Sequence, residues 1–497
     1  MKKIIIRVLA LLLILAMLLP MFFGCGKPVV EPTETESALS SNLGAEQEIP
    51  WIDPEDWGFK TANKVEWTFT VVGSSNGNTY GDAVENVVET DVPIQNWDVG
   101  AGVYQNVYRP VSAAQYMELV NKLKETGYQV YSQGDINEDV YYTLLTYQNY
   151  VYNITYYGYN AEVYVTASAQ RPLSPYLLED NASTQSEAVE GLETKLTMLP
   201  WQEGGGDNYI IQLKNGHFIL FDGGEHHMLK QTIAFLEENT PEGQIPVVDA
   251  WFITHGHYDH VGWTRGVYGS LEQTGGVFRT GEVTGRIRVN GIYFNQTNDQ
   301  IIEHTIYNWR SDGFRNKGEN PWPYKVNEAA KLLLTETGEE TPVYRPQAGQ
   351  TYYFKDLTVE VPYCQEQITF DNYQMDINAS STWYLVRAEG RTFLDAGDTE
   401  NVNMNFVKEA FSTDYAVFGG NVDIMSAFHH GHNVYSDLID TFWAPIVFYT
   451  SKTMFSWASQ YTQANKDMIA KREISYYCYG DGAYQYSFAA GEVTQIG

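Results

Sequence analysis

Residues 247–260 read VVDAWFITHGHYDH. The first half is almost wholly apolar, which is typical of a strand that is buried on both faces of a parallel sheet. Side chains two residues apart in an extended chain point the same way, so His255 and His257 are placed to bind one metal ion. The turn that follows lets Asp259 and His260 face a second ion. Imidazole and carboxylate are ordinary zinc ligands, and the absence of cysteine favours a catalytic site over a closed structural one.

Two hairpins elsewhere in the chain share one pattern. Residues 209–224 read YIIQLKNGHFILFDGG, and residues 383–398 read WYLVRAEGRTFLDAGD. Each predicts a strand, a tight turn with glycine, a second strand and an Asp-Gly-type loop. The similarity indicates two copies of one unit. The loops carry Asp222 and Asp398 at the ends of apolar strands, where α/β folds place their sites.

A helix and a histidine-bearing strand are predicted after each hairpin. The helical segments are 226–238 and 401–411, and the strands are 247–257 and 421–432. Nine of the ten histidines therefore lie in three loops next to apolar strands, and only His304 stands alone. A lone histidine is more often structural than a ligand, but this grouping indicates a metal site.

The order of these residues resembles the signature of the metallo-β-lactamase superfamily of hydrolases. The resemblance covers about Leu192 to Gly497 and implies an α/β fold, the αββα sandwich with two pseudo-equivalent halves. It also implies two divalent metal ions, expected to be zinc, with Asp398 bridging them. The residues that match the family's metal ligands are His255, His257, Asp259, His260, Asp398 and His430.

Other residues receive supporting roles from the same resemblance. Asp259, His429 and His430 are the candidate catalytic residues, and the choice between His429 and His430 as the ligand stays open. The residue that is not the ligand is free to donate to a substrate oxygen or a leaving group. We expect five more residues to support the ligands or to line the rim of the site, namely Asp222, His226, His227, Asn378 and His432.

One position departs from the family pattern. The family has another ligand histidine roughly twenty residues before the bridging aspartate, where this chain has Asn378. Asparagine there, with the later His-His-Gly, resembles the branch that contains late-competence DNA-uptake proteins and choline-phosphate esterases. The first metal then needs a further ligand, for which His304, Asp376 or a water are the alternatives.

The resemblance implies a binuclear hydrolase in which hydroxide held by the ions attacks a phosphodiester or a related ester. The expected substrate is a small molecule or a cell-surface ester. Nucleic acid is disfavoured as a partner, because 62 acidic residues against 31 basic ones give a net charge of −31, which repels phosphate backbones. Two alternatives are a lactone or β-lactam hydrolase and a non-catalytic surface binding lipoprotein.

The N-terminus predicts export. Three basic residues within residues 1–7 precede an apolar run over residues 8–23, and Gly24 stands before Cys25. A basic start and a short apolar stretch are typical of a secretory signal, and the end of the run resembles the bacterial lipoprotein processing box. Residues 1–25 are therefore predicted to be a lipoprotein signal peptide, with Cys25 lipidated. The protein is expected at the outer face of the cell membrane, held by this lipid anchor.

Between the signal and the hydrolase region the sequence predicts two segments. Residues 26–50 are rich in Pro, Glu, Ser and Thr and read as a flexible linker. Residues 51–180 predict a small α+β domain of unknown role, and residues 190–497 form the hydrolase domain. The small domain combines a helix from Ser112 to Gly127 with tyrosine-rich strands, which serve either packing or a carbohydrate-binding face. Whether the two cysteines beyond Cys25 pair is left open by the sequence.

Overall fold

The structure is a computed structural model that describes most of residues 103–496 and, before them, five short strands. Outside the description lie 109, 137–139, 159–160, 170–172, 202–205, 226–227, 258, 263–284, 296–325, 327–328, 365–377, 379–380, 400–421, 432–443, 453–465, 468 and 497. The predicted signal peptide with Cys25 and the linker also lie outside it. Within the described residues, no helix has both the length and the apolar character to cross a membrane.

An antiparallel sheet of six described strands forms the first part of the fold, in the order β5-β6-β10-β9-β8-β7. The tyrosine-rich runs form its central meander, as their alternating pattern predicts. The elements up to this sheet's last strand are β1 (Thr68–Thr70), β2 (Ser74–Ser75), β3 (Asn78–Thr79), β4 (Val87–Glu89), β5 (Gln95–Trp97), β6 (Val103–Tyr108), α1 (Ala113–Glu125), β7 (Gln129–Asp135), β8 (Val140–Tyr147), β9 (Tyr150–Tyr157) and β10 (Glu162–Ala169).

Helix α1 begins as its sequence predicts. The side chain of Ser112 accepts a hydrogen bond from the backbone of Gln115, and the Gln115 side chain accepts one from the backbone of Ser112. This reciprocal capping box satisfies two otherwise unpaired N–H groups. The buried face holds Leu119, whereas Met117 is 46% exposed.

The tyrosines of the six-stranded sheet serve packing. Tyr142, Tyr152 and Tyr156 are buried, and the rings of Tyr128 and Tyr147 stack with centroids 4.2 Å apart. The rings therefore pack against one another and against the neighbouring sheet. These contacts support the packing role rather than a carbohydrate-binding face.

The remaining chain forms two sheets. The first has nine described strands in the order β17-β16-β14-β13-β12-β11-β25-β26, with β15 beside β14, and the second has seven in the order β18 to β24. Their bounds are α2 (Glu179–Ala182), β11 (Lys195–Met198), β12 (Tyr209–Gln212), β13 (Phe218–Phe221), α3 (Met228–Glu238), β14 (Val247–Ile253), β15 (Arg288–Val289), β16 (Ile292–Phe294), β17 (Val343–Tyr344), β18 (Thr351–Tyr353), β19 (Thr358–Tyr363), β20 (Trp383–Ala388), β21 (Arg391–Asp395), β22 (Ile424–Ser426), β23 (Ile446–Tyr449), β24 (Ser475–Cys478), β25 (Ala483–Ser487) and β26 (Glu492–Ile496).

The two sheets pack face to face through aromatic side chains. Phe252 of β14 lies 4.9 Å from Tyr384 of β20 between ring centroids, and Phe221 of β13 lies 5.9 Å from Phe393 of β21. Helix α3 covers the outer face of the first sheet, and Ile469 packs on the outer face of the second. The predicted α/β class and αββα sandwich are confirmed.

The internal repeat is visible in the strand directions. Hairpin β12–β13 is followed by β14 parallel to β13, and hairpin β20–β21 is followed by β22 parallel to β21. Each half therefore sends its parallel strands towards one end of its sheet. Helix α3 occupies the place predicted for the first helix, whereas residues 401–411 lie outside the described residues.

The described strands between residues 288 and 363 contribute to the core of the sandwich. Strands β16 and β17 extend the first sheet beside β14, and β18 and β19 begin the second. Tyr293 is fully buried, and its hydroxyl bonds to that of Ser174 at 2.6 Å. It therefore packs within the core.

Candidate metal centre

The candidate site lies where parallel strands end. Strands β13, β14, β21, β22 and β23 all deliver loops to it, because their carboxyl ends meet at one edge of the sandwich. Both faces of these strands are largely buried, and the polar residues of the site follow their carboxyl ends. The side chains brought together are Asp207, Asp222, Thr254, His255, His257, Asp259, His260, Asp398, His429, His430 and Thr450.

The first group joins the two histidines of the H-x-H pattern to the second half of the fold. His255, His257 and Asp398 offer ligand atoms that all lie within 4.8 Å of one another. The Nε2 atom of His255 is 3.6 Å from Oδ2 of Asp398 and 3.1 Å from Nδ1 of His257. All three residues are buried. This group can hold one ion.

The second group is built around the other oxygen of Asp398. Its Oδ1 lies 3.1 Å from Nε2 of His260 and 3.3 Å from Nε2 of His430. Oδ2 of Asp259 lies 3.4 Å from the same atom of His430. Asp398 therefore faces both groups, one oxygen to each, as a carboxylate that bridges two ions would.

The two adjacent histidines after β22 take different places. His430 is buried and points its Nε2 at Asp398 and Asp259. His429 is more exposed, at 16% of its side chain, and its Nε2 lies 3.6 Å from Oδ2 of Asp398. Both residues have positive φ, 46° and 55°, a backbone conformation that costs energy in residues other than glycine and clusters at functional sites.

Asp222 supports the site from behind. Its Oδ2 lies 2.7 Å from Nδ1 of His260 and accepts a 2.7 Å bond from the hydroxyl of Thr254. Its Oδ1 accepts from the backbone N–H of Thr254 at 2.7 Å. A carboxylate on Nδ1 leaves Nε2 of the same ring as the metal-binding atom. Asp222 thus orients His260 towards Asp398.

Burial and neighbouring charges shape the protonation of the site. Burial, reinforced by the positive charge of His260, holds the pKa of His255 well below its usual range. Burial opposes the ionisation of Asp398, but His260, His430 and His429 outweigh it and hold the Asp398 pKa well below its usual value. Asp398 is therefore ionised and His255 neutral, which are the forms that bind a metal. Burial works against protonation of His260 and His430, but the charge of Asp398 and of neighbouring aspartates outweighs it and raises both pKa values, so a metal that binds these two rings must displace protons.

The donor set fits divalent cations. Oδ1 of Asp398 and Nε2 of both His260 and His430 are buried without a hydrogen-bond partner among the described residues. Buried polar atoms are almost always satisfied, so donor atoms that converge on one point without a hydrogen bond indicate a site that suits a cation. Nitrogen and carboxylate donors without cysteine suit Zn²⁺ and similar ions.

Several predicted site residues lie at the border of this centre or outside the description. Asn378 is buried, and its carbonyl accepts a bond from the backbone of Ser381, whose hydroxyl in turn accepts from the backbone of Asp398. It thus supports the loop that carries the shared carboxylate. His226, His227 and His432, and the alternative ligands His304 and Asp376, fall outside the described residues.

Sequence reasoning missed Asp207 and Thr450. Both are completely buried, and an oxygen of Asp207 lies within 4.8 Å of one ring nitrogen each of His260 and His430 and of an oxygen of Asp398. A signal existed for Asp207, which follows three glycines directly before an apolar strand. Thr450 gives no signal, because a single threonine after a strand is ordinary.

Comparison with known proteins bears on the first half of the sandwich. Residues 201–272 match the family model described as Metallo-beta-lactamase superfamily, a range that includes Asp222 and the 255–260 loop. No curated protein gives a significant match.

Three solved structures are similar to the chain at low identity. The metallo-beta-lactamase fold protein YhfI from Bacillus subtilis is 12% identical, with 57% of this chain and 96% of that one covered and a TM-score of 0.30. A variant of the CmlA beta-hydroxylase is 12% identical, with 60% and 55% covered and a TM-score of 0.31. Zn(2+)-bound PqqB from Methylobacterium extorquens is 11% identical, with 47% and 71% covered and a TM-score of 0.28. The match to the family model is confined to residues 201–272, and over these residues the chain is similar to the metallo-β-lactamase superfamily.

Proposed function

We propose that the protein is an extracytoplasmic, binuclear metal-dependent hydrolase that acts on a phosphodiester or a related ester. The observation that carries the proposal is the pair of histidine groups that share Asp398, with one oxygen directed to each. A single structural ion would not need a second ligand group. A decayed site would not keep nitrogen and carboxylate donors converging in a buried position.

The described residues would have different roles in such a site. His255 and His257 would hold one ion, His260, His430 and Asp259 the other, and Asp398 both. When bound, two divalent ions supply Lewis acidity and make a water acidic enough to ionise near neutral pH. Asp259, at 15% side-chain exposure, is placed to orient the nucleophile. His429 faces the more open side, where it can donate a proton to a leaving group.

The preference for phosphodiesters rests on the branch resemblance. Asn378 in place of a ligand histidine and the later His429-His430-Gly431 are similar to the branch that includes choline-phosphate esterases. Removing residues 1–24 takes away three basic residues and leaves a net charge of −34. That charge disfavours nucleic acid and leaves a small or cell-surface ester as the proposed substrate.

The proposed location rests on the N-terminal sequence. A secreted chain lipidated at Cys25 would sit on the outer face of the membrane, with residues 26–50 as a tether of variable reach. Membrane fractions of cells that express Cys25→Ser test this. Release of the variant into the soluble fraction is expected, and a variant that stays membrane-bound would mean that the signal acts as an uncleaved anchor.

Metal content and turnover test the hydrolase proposal. The detergent-solubilised full chain should bind two zinc ions and hydrolyse bis(p-nitrophenyl) phosphate, and Asp398→Ala should lose both properties. His217→Gln is the matched control, because His217 pairs with Asp249 and lies outside the centre. Turnover of a lactone or of nitrocefin but not of the phosphodiester would favour the alternative hydrolases. A fully metal-loaded protein without any hydrolysis would favour a binding lipoprotein.

A further inference from the structure

The second histidine group has a support that is shared by both halves of the fold. Asp207 precedes β12, and Thr450 follows β23, 243 positions later in the chain. The hydroxyl of Thr450 donates to Oδ1 of Asp207. The same hydroxyl lies 2.8 Å from Nδ1 of His430. Asp207, Thr450 and His430 thus form a continuous chain of buried polar groups.

We propose that Asp207 acts through Thr450 as a positioning residue that fixes His430 for metal binding. A hydroxyl carries one proton. If Thr450 donates it to the carboxylate of Asp207, Thr450 can only accept from His430. Nδ1 of His430 must then carry the ring proton, which leaves Nε2 with its lone pair directed at Asp398 and Asp259.

This arrangement parallels the support of the other histidine. Asp222 accepts directly from Nδ1 of His260, whereas Asp207 reaches His430 through one hydroxyl. Both rings of the second group are therefore held from the Nδ1 side by a buried aspartate. Carboxylate partners of this kind set the orientation and basicity of metal-binding histidines.

The position of Asp207 speaks against direct metal binding. Its oxygens lie 3.4 Å from Nδ1 of His430 and 3.9 Å from Nδ1 of His260, behind the rings. The Nε2 atoms of both rings face Asp398 instead. An oxygen on the Nδ1 side cannot share an ion with these Nε2 atoms while the rings keep their orientation.

The backbone fixes Asp207 at this place. The N–H of Gly224 donates to the carbonyl of Asp207 at 2.7 Å, and the N–H of Gly206 donates to the carbonyl of Thr450 at 3.3 Å. These bonds join the loop before β12 both to the Asp222 loop and to the end of β23. The backbone that carries the Asp207 carboxylate is thus held by main-chain contacts that do not depend on a metal.

The inference rests on the proposed two-metal site, and its test is metal affinity rather than turnover. Thr450→Val removes the hydroxyl with little change in shape and is expected to weaken one of the two zinc sites about 10–100-fold in a chelator competition. Thr450→Ser restores a hydroxyl and should bind zinc as the wild type does. The absorption spectrum of the Co²⁺-loaded protein should change in the valine variant and not in the serine variant.

Other outcomes separate the possibilities. Wild-type affinity for both ions in Thr450→Val would overturn the positioning role. Asp207 would be a direct ligand if Asp207→Ala lost one ion at saturating zinc while Thr450→Val bound zinc as the wild type does. That result would also overturn the positioning role. If Thr450→Val does not fold, Thr450→Ala repeats the test with a smaller side chain. A wild-type protein that binds no zinc would instead refute the two-metal site itself.

Discussion

At the scale of single residues, the structure separates two histidines that are adjacent in sequence. His430 is buried with its Nε2 towards Oδ1 of Asp398 and towards Asp259, while His429 is partly exposed with its Nε2 near Oδ2 of Asp398. The left-handed backbone at both positions turns the two rings in different directions from one short segment. One residue is therefore suited to hold an ion and the other to meet a substrate.

Substitution of each histidine should have a distinct effect. His430→Ala removes a donor of the second group, so the zinc content of this variant should fall from two ions per chain to one. His429→Ala should keep two ions and lose turnover about 10²–10⁴-fold, the range for loss of a general acid or base. Zinc analysis beside steady-state kinetics checks both. Loss of an ion in His429→Ala with two ions in His430→Ala would reverse the assignment.

At the scale of elements, the loop after β21 depends on close packing. Gly397 has φ +52°, and a Cβ there would lie 2.7 Å from the Cβ and Oγ1 atoms of Thr254 and 3.0 Å from Oγ of Ser381. Thr254 is bonded to Asp222. A side chain at this position would therefore push the shared carboxylate of Asp398 away from the histidines.

Gly397→Ala should accordingly lower both stability and zinc affinity. Gly390 is the matched control, because its φ is also positive at +75° but nothing would lie within 4 Å of a Cβ added there. Gly390→Ala should cost about 1–2 kcal/mol for the backbone alone. Gly397→Ala should cost about 1–3 kcal/mol more for overpacking. Urea unfolding measures both, and equal costs would contradict the packing argument.

The turn between β12 and β13 holds an ion pair far from the metal groups. Nδ1 of His217 lies 3.0 Å from Oδ1 of Asp249, to which Asn290 also donates at 3.0 Å. Burial works against protonation of His217, but the hydrogen bond and charge of Asp249, with the charge of Glu336, outweigh it and raise the His217 pKa. The protonated histidine thus ties the start of β13 to β14.

This raised pKa predicts a pH dependence of stability. Because the folded pKa exceeds the unfolded value near 6.5, the stabilisation is complete below about pH 6.5 and is lost as the pH rises through the folded pKa. His217→Gln should lower the melting temperature most at acidic pH and least at alkaline pH. Thermal unfolding of both proteins in chelator measures the difference, and a pH-independent difference would contradict the ion pair.

At the scale of the whole molecule, the six-stranded sheet and the sandwich share buried surface. Tyr142 of β8 is 2% exposed and belongs to the same hydrophobic core as the inner faces of the two sandwich sheets. The side chain of Gln350 donates to Asn153, and a Cβ on Gly349 would lie 3.0 Å from that of Tyr142. The predicted division at residues 180–190 therefore has a substantial packed interface.

We predict that the two regions unfold together. Tyr142→Ala should cost about 3–5 kcal/mol, as for other large aromatic truncations in cores, and should shift a single calorimetric transition rather than only part of it. Met117→Ala, on the exposed face of α1, is the control and should change little. Two separate calorimetric transitions, of which only one shifts in Tyr142→Ala, would show that the regions are independent domains.

The sequence alone determined the features that depend on neighbouring residues. The buried strand before His255, the H-x-H spacing, the paired hairpins and the capped helix α1 all follow from side-chain periodicity and turn chemistry, which act over a few residues. The place of His255, His257, His260 and Asp398 in one centre followed from the family resemblance, and the structure brings these side chains together.

Only the tertiary structure decided the rest. It separated His430 from His429, turned Tyr293 and the strands between residues 288 and 363 into core, and brought Thr450 to Asp207 from 243 positions away. Such contacts depend on how complete sheets close on each other, because a distant residue is selected by packing rather than by its neighbours in the chain. The support of a metal site is therefore less visible in sequence than its ligands.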